Sequence, residues 1–359
     1  MFRSMALVCL VFGIATQVAA QWNPEIPEAT PVASRPATTI SVNCGAGQSL
    51  QAAIDANQGP LDIQISGICN ENVLIRDKDV SLRGTTKPSL DGIRGVRVAP
   101  PQPPALIVRG PVEGTIQDLS FSGNPGTAVS IRGANLMFTN CLFEGNAGTG
   151  LQLSLDSFVN ATGLTFNGNI GRSILVNDSQ FFCNGCDVTG NNFALFAQRG
   201  GIASLNDSVV SGGRGIAAVD GGSIADVDCV TIDTPHPCGI NVSGIAAQGA
   251  GGGLAVLAGV GDFTGQVQAA DQGTVELFGA RQLMTNAAGQ PNVADFFGRI
   301  AVALFSDPRT SIQSRVRSIT AAHFAQVLLT DNTLLDGTVT VATSATKQID
   351  PTVIVLPPR

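Results

Sequence analysis

At residues 139–151 the chain reads TNCLFEGNAGTGL, and at 162–174 a near-copy follows, TGLTFNGNIGRSI. A leucine-rich repeat, another kind of β-solenoid and a chance run of Gly and Asn would each make a different protein of this stretch. A fixed period is the test that separates an array from chance. LSFSGN (119–124), CLFEGN (141–146), LTFNGN (164–169), CDVTGN (186–191), SVVSGG (208–213) and VTIDTP (230–235) align with starts 22 or 23 residues apart. Other columns keep the same spacing. Ile116, Phe138, Ala161, Cys183, Leu205 and Val227 form one; Phe121, Phe143, Phe166, Val188, Val210 and Ile232 form a second; Asn124, Asn146, Asn169 and Asn191 form a third.

Each repeat therefore has the pattern Φ-x-x-Φ-x-Φ-x-x-N, with Φ mostly apolar, which is also the front half of the leucine-rich-repeat consensus. The back half differs. A leucine-rich repeat places an apolar residue two positions after the Asn, then a helical segment. Here that position holds Gly126, Gly148, Gly171 or Phe193, so the chain turns. A second segment follows with period-two alternation, as in ALIVRG (105–110), AVSIRG (128–133), GLQLSL (150–155) and SILVND (173–178). Alternation with β-branched residues predicts a strand. A third short strand, such as LMF (136–138) or FVNA (158–161), precedes the corner. Such a unit cannot bury its own apolar side, but coils stacked about 4.8 Å apart pair every backbone group with the next coil.

The pattern resembles the right-handed parallel β-helix of the pectin-lyase-like superfamily. The resemblance implies an all-β solenoid with coils of about 22 residues and an internal asparagine ladder at Asn124, Asn146, Asn169 and Asn191. SLQAAIDANQ (49–58) puts Leu50, Ala53 and Ile54 on one helical face behind Ser49 as N-cap, and resembles the short helix that plugs the first coil of such proteins. The repeats are clearest over about 105–240. Beyond about 245 the columns fade, and 316–330 suggest a short helix that would cap the far end.

Residues 1–20 carry Arg3, an apolar run and small residues before Gln21, the pattern of a secretory signal peptide. Residues 21–39, with four prolines, form an expected linker, leaving 40–359 as one β-helix domain. Charged residues make up only 13% of the chain and the net charge is −7, which argues against nucleic acid as a partner. No later stretch has the length of a membrane span. The expected location is extracellular, periplasmic or at the cell surface, and the expected partner is polysaccharide or surface matrix.

Without the leader the chain keeps seven cysteines, and export favours bridges. Cys44 and Cys69 bracket the cap helix and first strand, so a bridge there staples the cap. Cys229 and Cys238 enclose a Pro-His-Pro loop. Cys183 and Cys186 form a C-x-x-C that flanks a corner, where a local bridge or two buried thiols both fit. Cys141 shares a column with Cys186 but lies two coils away, about 9.6 Å, beyond disulfide reach. It is the expected free, buried thiol.

The resemblance extends weakly to catalytic sets. Polygalacturonase-like hydrolases need clustered aspartates with Gly-His-Gly and Arg-x-Lys, and Gly-His-Gly is absent. Pectin methylesterases resemble the chain at SLQAAID and at VADFFG (293–298), which makes Asp295 a candidate nucleophile, but their Arg-Pro-Trp element is missing. Pectate lyases need a carboxylate cluster for calcium, and none stands out, so no cofactor is expected outside a lyase. On the outward columns Glu144, Asn167 and Asp187 are candidates to meet hydroxyls, and Phe196 is the outward aromatic. Arg109 and Arg132 stack as like charges, which suggests an acidic ligand or a carboxylate neighbour. Asp178, Arg199 and Asp220 share a column in alternating sign. His236 and His323 have no partners for metal. The leading expectation is a secreted, non-catalytic scaffold that binds glycan or matrix; the competing one is a polysaccharide lyase, esterase or epimerase with a carboxylate site on the outer sheet face.

Overall fold

Three stacks of short parallel strands carry the repeat, in a computed structural model that describes residues 37–283 apart from 87, 89, 97–100 and 230–237. Beyond these it describes 285, 288, 314 and the backbone of the strands between Ala294 and Leu356; for Asn191 it describes the backbone alone. In the coil that contains the opening stretch, Asn135–Thr139 lies on the first face, Leu142–Glu144 on the second and Leu151–Ser154 on the third. Each pairs in parallel with its copy one coil on, as Phe138 does with Ala161, Phe143 with Phe166 and Leu151 with Ile174. The chain thus winds as a right-handed parallel β-helix.

Alternation decides which side chains fill the bore. Ile116, Phe138, Ala161, Cys183, Leu205 and Val227 are buried on the first face, and Phe121, Phe143 and Phe166 on the second. Those three rings stack with centroids 5.2 and 4.5 Å apart. Burying each side chain contributes about 2 kcal/mol. At the following corner the Asn ladder closes. Asn146 Oδ1 accepts from Asn124 N at 3.0 Å and Nδ2 at 2.6 Å, and Asn169 Oδ1 accepts from Asn146 N at 3.2 Å and Nδ2 at 2.7 Å. The free amide hydrogens go to Phe121 O and Phe143 O. At Asn191 the register slips, so that the Cα partner of Asn169 is Gly190.

The corner between the first and second faces is one residue with positive φ in five successive coils: Asp118, Asn140, Gly163, Gly185 and Asp207. Gly, Asn and Asp are the residues that adopt this conformation at least cost, which is why the column holds them. At the next corner, a Cβ on Gly148 would fall 2.7 Å from backbone atoms of Gly126 and Thr127. The glycine column that argued against a leucine-rich repeat is there because successive coils touch backbone to backbone.

The first coil is closed by helix α1 (Leu50–Ala56), whose Leu50 and Ile54 are buried. Ser49 Oγ accepts from Ala52 N at 3.1 Å, and Glu71 accepts from Leu50 N and Ser49 Oγ. Lys78 Nζ donates to the carbonyls of Ile54 and Asn57, both at 2.9 Å. Gln51 completes the cap, because its amide bonds the backbone N–H and C=O of Leu74 on the otherwise open edge. A strand at Thr38–Asn43 pairs with Leu61–Ser66 below, so the sheet takes in Thr38 and Thr39, which the composition assigned to the linker.

VTIDTP (230–235), expected as the next copy of the second-face column, lies outside the described residues; the strand that pairs with Val209 begins at Gly239. The Cys229–Cys238 bridge closes the interval before it. The short helix expected over 316–330 is corrected: among the described residues Arg315–Val316, Ile319–Ala321 and Gln326–Leu329 are strands that continue the stack. Pairing of Ala301–Leu304 with Gln326–Leu329 outweighs the local helix propensity.

Candidate functional site

The second face carries a polar stripe on its outer side. Ser122, Glu144 and Asn167 follow one another along the axis at about 4.8 Å per coil, and beyond a register shift after Phe166 so do Thr189, Ser211, Asn241 and Thr264. Rungs form between neighbours: Asn167 Nδ2 donates to Glu144 Oε1 at 3.2 Å, Thr189 and Ser211 hydroxyls meet at 2.8 Å, and Thr264 Oγ1 donates to Asn241 Oδ1 at 2.8 Å. The stripe offers amides, hydroxyls and one carboxylate on a straight, rigid surface.

The three candidate carboxylates do not share one place on it. Glu144 is exposed beside Asn167. Asp187, also exposed, lies two coils further on in the neighbouring column, between Thr165 and Val209. Asp295 belongs to the third face, where its Cα partners are Gln268 and Thr320; its side chain lies outside the described residues. Both histidines also lie outside them. Arg109 and Arg132 are Cα partners on the third face, a corner away from Asn167. The structure adds Arg76, the Cα partner of Arg109. Sequence reading missed it because an insertion stretches the interval to 33 residues, yet VLIR, LIVR and VSIR are three copies of one pattern. Arg76 and Lys78 do spell Arg-x-Lys, but Lys78 is bound to the α1 carbonyls.

Phe196 faces outward, as expected, but is covered. It is 8% exposed and packs against Leu175 and Ala217, with Phe193 at 5.5 Å and the Arg172 guanidinium 3.9 Å over its ring. Burial lowers the Arg172 pKa. The apolar outer column Leu175–Phe196–Ala217 attracts its own cover, a second small core outside the bore. Aromatic surface is presented instead on the first face by Phe158, 37% exposed, with Phe182 at 5.9 Å. Phe158 borders an open cleft of about 190 Å3 with Asp156, Asp178 and Gln180. Asp178, Arg199 and Asp220 are corner residues with positive φ, and no ion pair joins them. Those corners turn each side chain away from the strand alignment that the charge ladder assumed.

Cysteines 44 and 69, 183 and 186, and 229 and 238 are bridged, and Cys141 is free and buried. Burial pushes the Cys141 thiol up to about 12. Glu71 lies beside the Cys44–Cys69 bridge, the one cysteine–carboxylate group with metal-like spacing among the described residues, but the sulfurs are bonded to each other and its oxygens cap α1. At Asp91, burial raises the carboxyl pKa, but hydrogen bonds from Gly67, Thr86 and Thr85 outweigh it and hold it below the ordinary value. Asp91 thereby pins the turn at 85–86. Glu276 is the group the fading repeats concealed: burial lifts its carboxyl to about 7.

Residues 62–232 match the family model described as the right handed beta helix region. Comparison with curated proteins finds no match. Among solved structures, the A-module of a mannuronan C-5 epimerase from Azotobacter vinelandii is 14% identical, covering 86% of this chain and 95% of its own, with a TM-score of 0.37. An α-1,3-glucanase catalytic domain in complex with nigerose is 10% identical over 92% and 69%, with a TM-score of 0.28. A family 28 exopolygalacturonase from Yersinia enterocolitica is 11% identical over 89% and 77%, also at 0.28. At these scores the likenesses carry no argument about chemistry. The family match over 62–232 and the in-register stack of parallel coils together show the fold of a right-handed parallel β-helix.

Proposed function

We propose that the protein is a secreted, non-catalytic β-helix that binds polysaccharide along its outer surface. The observation that carries this reading is the outer side of the second face, where side chains hydrogen-bond at coil spacing in three rungs, Glu144–Asn167, Thr189–Ser211 and Asn241–Thr264. Such a row can exchange bonds with the hydroxyls of an extended glycan without rearranging its backbone, because each rung sits on a packed strand. Phe158 and Phe182 offer apolar faces against which sugar rings pack. Catalysis of glycoside cleavage or epimerisation needs groups placed together on the reacting atoms, and Glu144, Asp187 and the Asp295 backbone stand on separate coils or faces. Disulfides fit an oxidising, extracytoplasmic setting.

A panel of neutral and uronate-rich polysaccharides, tested by affinity electrophoresis, measures binding. The same polymers incubated with the protein, with and without calcium, report turnover. Retardation without products is the expected result. Unsaturated sugars, released methanol or shortened chains that disappear in Glu144→Gln or Asp187→Asn would establish an enzyme in place of a binder.

A further inference from the structure

The third face opens with three strands that end alike: Val73–Arg76, Leu106–Arg109 and Val129–Arg132. Arg109 is the Cα partner of both Arg76 and Arg132, so the three guanidinium groups start from one column at about 4.8 Å per coil. All three side chains are exposed, and none has an ion-pair partner among the described residues. The column is bounded below by the α1 cap, through Gln51 on Leu74, and above by Ser154. Of the nearby acids, Asp79 accepts the Glu113 backbone N–H at 2.9 Å, and Asp77 stands at the corner after Arg76 with its carboxylate beside Gly110 but in no ion pair among the described residues. On the same side as Arg132, Ser130 holds a buried hydroxyl with no partner.

Like charges opposite one another in a sheet repel, and this chain has a net charge of −7, so it had acids available to intersperse. The geometry points to a linear polyanionic glycan lying along the solenoid axis across Arg76, Arg109 and Arg132, one oxyanion group to each coil. A guanidinium fork binds carboxylate or sulfate with two parallel hydrogen bonds, and a repeating anion meets a repeating fork without distortion. A nucleic acid is a poorer fit, because an acidic protein with three basic positions repels the rest of its backbone. This inference rests on the polysaccharide-binding reading and gives that reading a charge class and a direction.

The test is calorimetric titration of the full chain with polygalacturonate, heparin, dextran and poly(dT). The wild type is compared with Arg76→Gln/Arg109→Gln/Arg132→Gln, and with Arg281→Gln, whose parent residue pairs with Asp262 far from the ladder. The triple variant should lose about tenfold or more in affinity for the polyanion and show a shallower salt dependence, with its melting temperature kept. Arg281→Gln should bind as wild type does. Polygalacturonate against heparin tells carboxylate from sulfate. Unchanged polyanion affinity in the triple variant, or wild-type preference for poly(dT), overturns the proposal. Binding to dextran alone, equal in both proteins, overturns the ladder but leaves polysaccharide binding standing. No binding to any glycan overturns both.

Discussion

Glu276 stands on the outer side of the first face, in the column of Val256, yet only 9% of it meets solvent. Burial raises its carboxyl from the ordinary 4.5 to about 7. Between those values the folded protein holds a proton that the unfolded chain has released, so folding is favoured as pH falls through this window and penalised above it. Glu276→Gln keeps the shape and removes the charge. It should raise stability at pH 8 by on the order of 3 kcal/mol, with little effect at pH 4. Urea melts at the two pH values measure this, and an equal gain at both would show that ionisation is not the cause. Cys141 is held in the opposite kind of isolation, buried with its thiol pushed up to about 12. Native protein should therefore resist alkylation at pH 8 while the unfolded, unreduced chain takes up one equivalent. Rapid labelling of the native state would contradict the burial.

At the scale of the strand and its corner, the ladder and the outer stripe use the same amide in two settings. Asn146→Ala removes the acceptor of Asn124 and the donor to Asn169 and to Phe121 O, all buried. It should cost about 3 kcal/mol, because each orphaned buried group costs about 1–3 kcal/mol. Asn167→Ala, one coil on but facing water, should change stability by less than about 0.5 kcal/mol. Thermal or urea melts of the pair decide the point, and similar costs would mean the ladder is not structural. The ladder was expected beforehand, from an Asn column three residues after the Phe column and from the resemblance to β-helix proteins. Columns were readable wherever each coil adds the same number of residues, as from Ile116 to Val227. They failed where the count between partners changes: at the insertion that hid Arg76, and before Gly239, whose Cα partner is Val209. Phe196 failed for another reason. Its alternation correctly faced it outward, but sequence spacing carries no information on Arg172 folding over the ring.

Across the whole molecule each coil contacts only its neighbours, so stability is distributed along the axis and the ends are its weak points. The lower end depends on α1, and α1 depends on Glu71 and on the Cys44–Cys69 bridge that closes a separation of 25 residues. By loop entropy that bridge contributes about 3 kcal/mol. In a globule with one cooperative core its loss would lower the stability of every strand equally. In a solenoid it should act locally. Cys44→Ser/Cys69→Ser should speed hydrogen exchange at Thr38–Asn43 and Leu61–Ser66, whose pairing leans on the cap. The amides of Asn135–Thr139 and Gln180–Asn184, several coils away, should keep their wild-type protection. Mass-resolved exchange on the full chain reads both regions in one experiment. Uniform loss would mean that the stack unfolds as a single unit, and that the central run of phenylalanines and asparagines cannot hold its fold without the cap.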